Sequence, residues 1–125
     1  MMNKYIIKQR RSGVVKLPDE VVEQFGEGGL LYVIIDPNPC LRLLTKQEFE
    51  NLLDKIRNYP EIEKLRPFLA YAFSCLIHKG RIDIPEKLMS RIDAQNREDL
   101  MLVINDGVCR LYERKTAEAL FEDII

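Results

Sequence analysis

The pattern of apolar and polar positions along the chain occurs twice. Gly13-Val14-Val15-Lys16-Leu17-Pro18 reads as a glycine turn, a short strand and a proline that opens a helical turn. Gly80-Arg81-Ile82-Asp83-Ile84-Pro85 reads the same way, 67 residues later. After each proline the apolar positions keep helical spacing, first at Val21, Val22 and Phe25 and then at Leu88, Met89 and Ile92. A polar turn follows in both halves, and then an apolar run, Leu30 to Ile35 and Leu100 to Ile104. Each run is short, rich in β-branched residues and bounded by turn signals, Asp36-Pro37-Asn38-Pro39 and Asn105-Asp106-Gly107. They predict buried strands that return through hairpins to Cys40–Leu44 and Val108–Tyr112. Each half closes on a helix with one apolar stripe, Phe49, Leu52, Leu53 and Ile56 or Ala117, Leu120, Phe121 and Ile124. Thr45-Lys46-Gln47-Glu48 has the form of a capping box, and Leu44 with Phe49 can staple the start of that helix.

The repeat extends to an opening strand in each half, Ile6 to Arg10 and Phe73 to Ile77. Between the halves, Pro60 suits a helix start and Pro67 interrupts one, so two short helical pieces are expected. A half of about 50 residues would be marginal alone. The expected solution is an α+β fold whose two repeats interleave their strands into one β-barrel-like core with flanking helices. Residues 1–58 would form the first repeat with its closing helix, 59–70 a helical connector and 71–125 the second repeat.

Composition narrows the function. The 125 residues are 46% hydrophobic and 31% charged, which fits an ordered globular chain. Nineteen Lys and Arg against 20 Asp and Glu leave a net charge of −1, so a nucleic-acid partner must be argued from local clusters. No apolar run approaches the roughly 20 residues that span a bilayer, and residues 1–11 lack the apolar stretch of a signal peptide. Neither a membrane partner nor export is expected. Cys40, Cys75 and Cys109 are widely spaced, which fits a reducing cytoplasm and no disulfide framework. With His78 the single histidine and no C-x-x-C, no metal site is expected. Gly26-Glu27-Gly28-Gly29 leads into a strand and lacks the Lys-Ser/Thr of a phosphate loop, so it reads as a turn. Ser12, Ser74 and Ser90 form no nucleophile–base set, and Asp54, Glu61 and Glu63 read as solvated charges. No catalytic residue, cofactor or small-molecule ligand is expected.

The two G-x-x-x-x-P blocks, the segment between them and Cys109-Arg110-Leu111-Tyr112-Glu113 before the last helix resemble the MraZ family. That family belongs to the wider SpoVT/AbrB-like swapped-hairpin group. The resemblance spans about Tyr5 to Ile124. It implies two tandem swapped-hairpin repeats and a bacterial, cytoplasmic, nucleoid-associated DNA-binding regulator of division and cell-wall genes. It also implies a ring-like homo-oligomer whose hairpins contact DNA. The family motif is Asp-x-x-Gly-Arg before a short strand and Pro. Here Gly80-Arg81 keeps the Gly-Arg part, with Ile77 at the aspartate position. In the first repeat Gly13 is kept, with Val14 at the arginine position and Arg10 at the aspartate position.

Local charge agrees with the resemblance. Lys4, Lys8, Arg10, Arg11 and Lys16 all precede the first acid, Asp19, and the second glycine turn holds His78, Lys79 and Arg81. The candidate DNA-contacting residues are therefore Arg10, Arg11, Lys16, His78, Lys79, Gly80 and Arg81. Phosphate contact needs only cations in the right place. Solvated edge-strand cations would give the same pattern. Two other functions stay open: a diverged oligomeric scaffold that has lost DNA binding, and an AbrB-type antitoxin.

Overall fold

In the computed structural model of the chain, residues 2–9, 13–36, 39–58, 72–92 and 99–121 are described. The chain order is β1 (Met2–Ile7), β2 (Val14–Lys16), α1 (Asp19–Phe25), β3 (Leu30–Asp36), β4 (Cys40–Leu44) and α2 (Lys46–Asn58). Then come β5 (Phe73–Leu76), β6 (Arg81–Asp83), α3 (Glu86–Met89) with a 3₁₀ turn (Ser90–Ile92), β7 (Leu100–Asn105), β8 (Val108–Glu113) and α4 (Arg114–Phe121). The connector expected over 59–70 lies outside the described residues, as does Ile124 of the second helical stripe.

The fold is α+β. Six strands form an antiparallel sheet in the order β1-β7-β8-β4-β3-β5, and β2 pairs with β6 in a separate two-stranded ribbon. The sheet is open, which corrects the barrel-like expectation. β1 and β5 lie at opposite ends of it, each hydrogen-bonded on one side only. The ribbon and the short helices pack on one sheet face, where the strands of a barrel would have to curl to meet. Exchanging each element of the first half for its counterpart in the second reverses the order β1-β7-β8-β4-β3-β5 and leaves it unchanged. The four pairings β1–β7, β2–β6, β3–β5 and β4–β8 all join one half to the other.

Period-two alternation explains why β3 and β7 are apolar along almost their whole length, and why β4 and β8 are apolar apart from Arg42, Arg110 and Glu113. Leu31, Val33, Leu41, Leu43, Leu100, Leu102 and Leu111 face the main core, where they meet Val15, Leu17, Val21, Ile82, Ile84 and Leu88. Cys40, Met101, Val103 and Tyr112 face the other side, under Ala117 of α4. A strand buried on both faces reads as a continuous apolar run, as β3 and β7 do. The second hairpin turns at Asp106-Gly107, both with positive φ (52° and 80°), the geometry that suits the sheet's twist.

α1 and α3 both follow a proline in extended conformation, Pro18 and Pro85. α1 is tied to β1 through Glu20, whose carboxylate accepts from Asn3 Nδ2 at 3.0 Å and from the Tyr5 hydroxyl. That bond raises the Tyr5 pKa above its ordinary value. The capping box forms as expected. Glu48 N–H donates to Thr45 Oγ1 and Thr45 N–H donates to Glu48 Oε1, both at 3.1 Å. Phe49 spends its ring on Tyr32, stacked at 4.5 Å between centroids. Some boundaries differ from expectation. β1 starts and ends earlier than Ile6 to Arg10, with Gln9 reached only by an isolated bridge to Val15. Leu120 of the expected apolar stripe is exposed. Cys40 and Cys109 are core residues, whereas Cys75, on the edge strand β5, is only half-buried.

Candidate nucleic-acid interface

The ribbon β2–β6 positions the candidate cations. Val15 pairs with Ile82, and both side chains are buried beneath the ribbon. Alternation then sends Val14, Lys16, Arg81 and Asp83 to the outer side. Lys16 lies directly across from Arg81, and Val14 across from Asp83. Leu17 N–H donates to the Gly80 carbonyl and Ile84 N–H to the Gly13 carbonyl, both at 2.8 Å. These bonds flank the ribbon symmetrically and make Lys16–Arg81 a non-hydrogen-bonded pair, the kind whose side chains stand closest. Among the described residues neither cation has an ion pair, and Arg81 Nε is buried without a hydrogen-bond partner.

Two grooves flank the ribbon, and Arg81 borders both. One, of about 470 Å³, runs between β1 and β2 and is lined by Lys8, Lys16, Arg81 and Asp19 among others. The other, of about 530 Å³, runs between β5 and β6 past His78, Lys79, Arg81, Asp83 and Cys75. Burial, and after it Asp83, pushes the Cys75 thiol up to about 11, so it is a neutral wall of that groove at pH 7.

The turn His78-Lys79-Gly80-Arg81 joins β5 to β6. His78 and Arg81 exchange both backbone hydrogen bonds, at 2.9 and 3.0 Å, while Lys79 and Gly80 have φ of 52° and 73°. Such a turn directs the N–H groups of its two central residues outward. Both meet the Glu27 carboxylate: Lys79 N–H donates to Oε1 and Gly80 N–H donates to Oε2 at 3.1 Å. Glu27 is delivered there by its own loop, because Gly28 N–H donates to the Ile77 carbonyl and Ile77 N–H to the Gly29 carbonyl. At the matching glycine of the first half, Gly13 N–H donates to Gln9 Oε1 at 2.8 Å.

Of the residues expected from sequence, Lys16, His78, Lys79, Gly80 and Arg81 are gathered on one surface. Arg10 and Arg11 lie outside the described residues. Sequence reasoning did not foresee Glu27 on the turn, because its partners are 52 and 53 residues away. Nor does it single out Arg42 and Arg110, which face each other across β4–β8, each with a buried Nε that makes no hydrogen bond, although Arg110 Nε lies 3.6 Å from Asp36. Their equal place in the two halves was the available signal. Among the described residues no cluster of His, Cys, Asp and Glu could hold a metal, and no helix is long and apolar enough to cross a membrane. Compared with known proteins, the chain matches no family model and no curated protein.

Proposed function

We propose that the β2–β6 ribbon and its turn contact DNA, and that the protein is a MraZ-like transcriptional regulator acting at the nucleoid. In this reading the chain is two tandem swapped-hairpin units of the SpoVT/AbrB kind. The exchange-symmetric strand order and the four pairings between halves support that. The Lys16–Arg81 pair carries the functional proposal. Two cations directly opposed on a ribbon repel one another in the free protein. A phosphate between them removes that repulsion and releases counterions. Arg81 has the further capacity to hold a guanine edge bidentately, which a lysine lacks. Assembly into a ring would multiply weak contacts through effective concentration. The open sheet edges β1 and β5, with Ile6 and Leu76 exposed, offer surfaces for self-association.

One set of observations favours the second reading, a scaffold that has lost DNA binding. Val14 stands where the first repeat of the family has arginine, and Asp83 and Glu27 place acids beside the turn. Fluorescence anisotropy on the duplex upstream of the protein's own operon and on a scrambled duplex, at several salt concentrations, separates the two. Arg81→Ala should weaken binding and flatten sequence preference, by on the order of 1–3 kcal/mol if a base is read. Lys16→Ala should weaken both duplexes alike and reduce the salt slope by about 0.9 for one lost phosphate contact. Wild-type protein that binds neither duplex at low salt overturns the regulator reading, and the scaffold takes its place.

A further inference from the structure

We infer that the Lys79–Gly80 turn is an oxyanion pocket for a phosphate group, and that Glu27 is its built-in occupant in the free protein. This inference rests on the DNA reading only for where the phosphate comes from. Successive backbone N–H groups in a left-handed turn form a concavity that holds anions. Lys79 (φ 52°) and Gly80 (φ 73°) make such a turn, and both N–H groups converge on one carboxylate. The two oxygens of that carboxylate take the places that two oxygens of a phosphate would take.

Three features make Glu27 a displaceable occupant. Its side chain is at the surface, and both of its hydrogen bonds are exposed. The turn holds its shape without it, through the paired bonds between His78 and Arg81. The Gly26–Gly29 loop is anchored by its own backbone bonds to Ile77, so losing the carboxylate contact leaves that loop in place. The turn itself carries the side chains of His78, Lys79 and Arg81, which line the groove past β5 and β6 together with one acid, Asp83. Gly80 leaves room for a ligand, since a Cβ there would approach only Val22 Cγ2, at 3.9 Å. An incoming phosphate therefore finds donors and cations in place and has one carboxylate to displace. Glu27 sets a threshold: the turn accepts a phosphate only where neighbouring contacts offset the loss of its own anion.

The test uses Glu27→Ala in the full chain, with Glu23→Ala, an exposed acid on α1, as the control for lost charge. Inorganic phosphate is titrated while the amide NMR signals of Lys79 and Gly80 are followed. In Glu27→Ala these two signals should shift saturably, and in wild type and Glu23→Ala they should not at the same concentrations. On the operon-upstream duplex, Glu27→Ala should bind on the order of tenfold tighter than wild type, about one charge-assisted hydrogen bond's worth. Glu23→Ala should gain much less. A folded Glu27→Ala protein whose two amides ignore phosphate overturns the inference. So does one that binds DNA more weakly, since Glu27 would then be shaping the turn. If the amides respond but neither wild type nor Glu27→Ala binds DNA, the oxyanion pocket stands and the DNA reading falls.

Discussion

Individual residues in this fold are constrained unequally by the same backbone conformation, and two glycines show it. Gly13 and Gly107 both have positive φ, 84° and 80°. A Cβ on Gly13 would lie 2.2 Å from the Ile84 carbonyl oxygen, whereas one on Gly107 would meet nothing within 4 Å. Gly107→Ala should thus cost only the left-handed penalty, about 1–2 kcal/mol. Gly13→Ala adds a clash with the carbonyl of Ile84, whose N–H donates to the Gly13 carbonyl across the ribbon, and should cost about 3 kcal/mol or more. Urea unfolding of the two variants measures the difference, and equal losses would mean the ribbon is not packed as described. The candidate site was legible at this scale as far as single residues go. Gly80 and Arg81 stand out in the sequence because a second copy of their surroundings exists for comparison. Glu27 does not, because a carboxylate held by two backbone N–H groups needs no particular partner side chain and leaves no pair to notice.

Elements were legible where a local rule fixes them. The start of α2 follows from Thr45 and Glu48 alone, and Thr45→Ala should cost about 1 kcal/mol. The start of α4 was not so readable. Glu113, buried at the end of β8, accepts from Lys115 N–H at 2.8 Å, Thr116 N–H at 3.0 Å and the Thr116 hydroxyl at 3.1 Å. A glutamate is not among the preferred N-caps, so sequence gives little hint of it. With three donors left bare, Glu113→Ala should cost about 2 kcal/mol, roughly twice the Thr45→Ala loss in the same denaturation assay. At the sheet centre, Arg42 and Arg110 oppose one another, and among the described residues only Arg110 is paired with a carboxylate, Asp36 at 3.6 Å. Arg42→Leu removes a like-charge pair from a face shared with Ile34 and Val103. It should raise the unfolding free energy by about 1 kcal/mol, read as a higher urea midpoint. A fall instead would mean Arg42 packs with its stem more than it repels with its head.

At the scale of the molecule, buried thiols set the alkaline limit and the strand exchange sets the folding unit. Burial pushes Cys40 up to about 12 and Cys109 up to about 11, and it likewise raises Tyr112 to about 12. In the unfolded chain a thiol ionises near 8.5. Between about pH 8.5 and 11 the unfolded state therefore sheds protons that the folded state keeps, and stability falls as pH rises. The thermal midpoint should be flat from pH 7 to 8 and drop steadily above 9, and Cys109→Ala should soften that drop. The strand order was only partly legible in sequence. Element types follow from local period, but which strand pairs with which is decided by contacts between the halves, and an open sheet satisfies the same apolar pattern as a barrel. The pairing observed makes the strongest claim about folding. In residues 1–58 alone, β1 loses β7, β2 loses β6, β3 loses β5 and β4 loses β8, so the one pairing left is the β3–β4 hairpin. An isolated two-stranded hairpin is marginal in water, and its Leu31, Val33, Leu41 and Leu43 face would be bare. A fragment of residues 1–58 should show no cooperative unfolding and should aggregate, and 72–125 should do the same. Refolded together from denaturant, the two fragments should recover a cooperative circular-dichroism transition, because every pairing broken by the cut lies between them. A cooperative transition in either fragment alone would show that each half folds independently and that the exchange of strands is not what holds the molecule together.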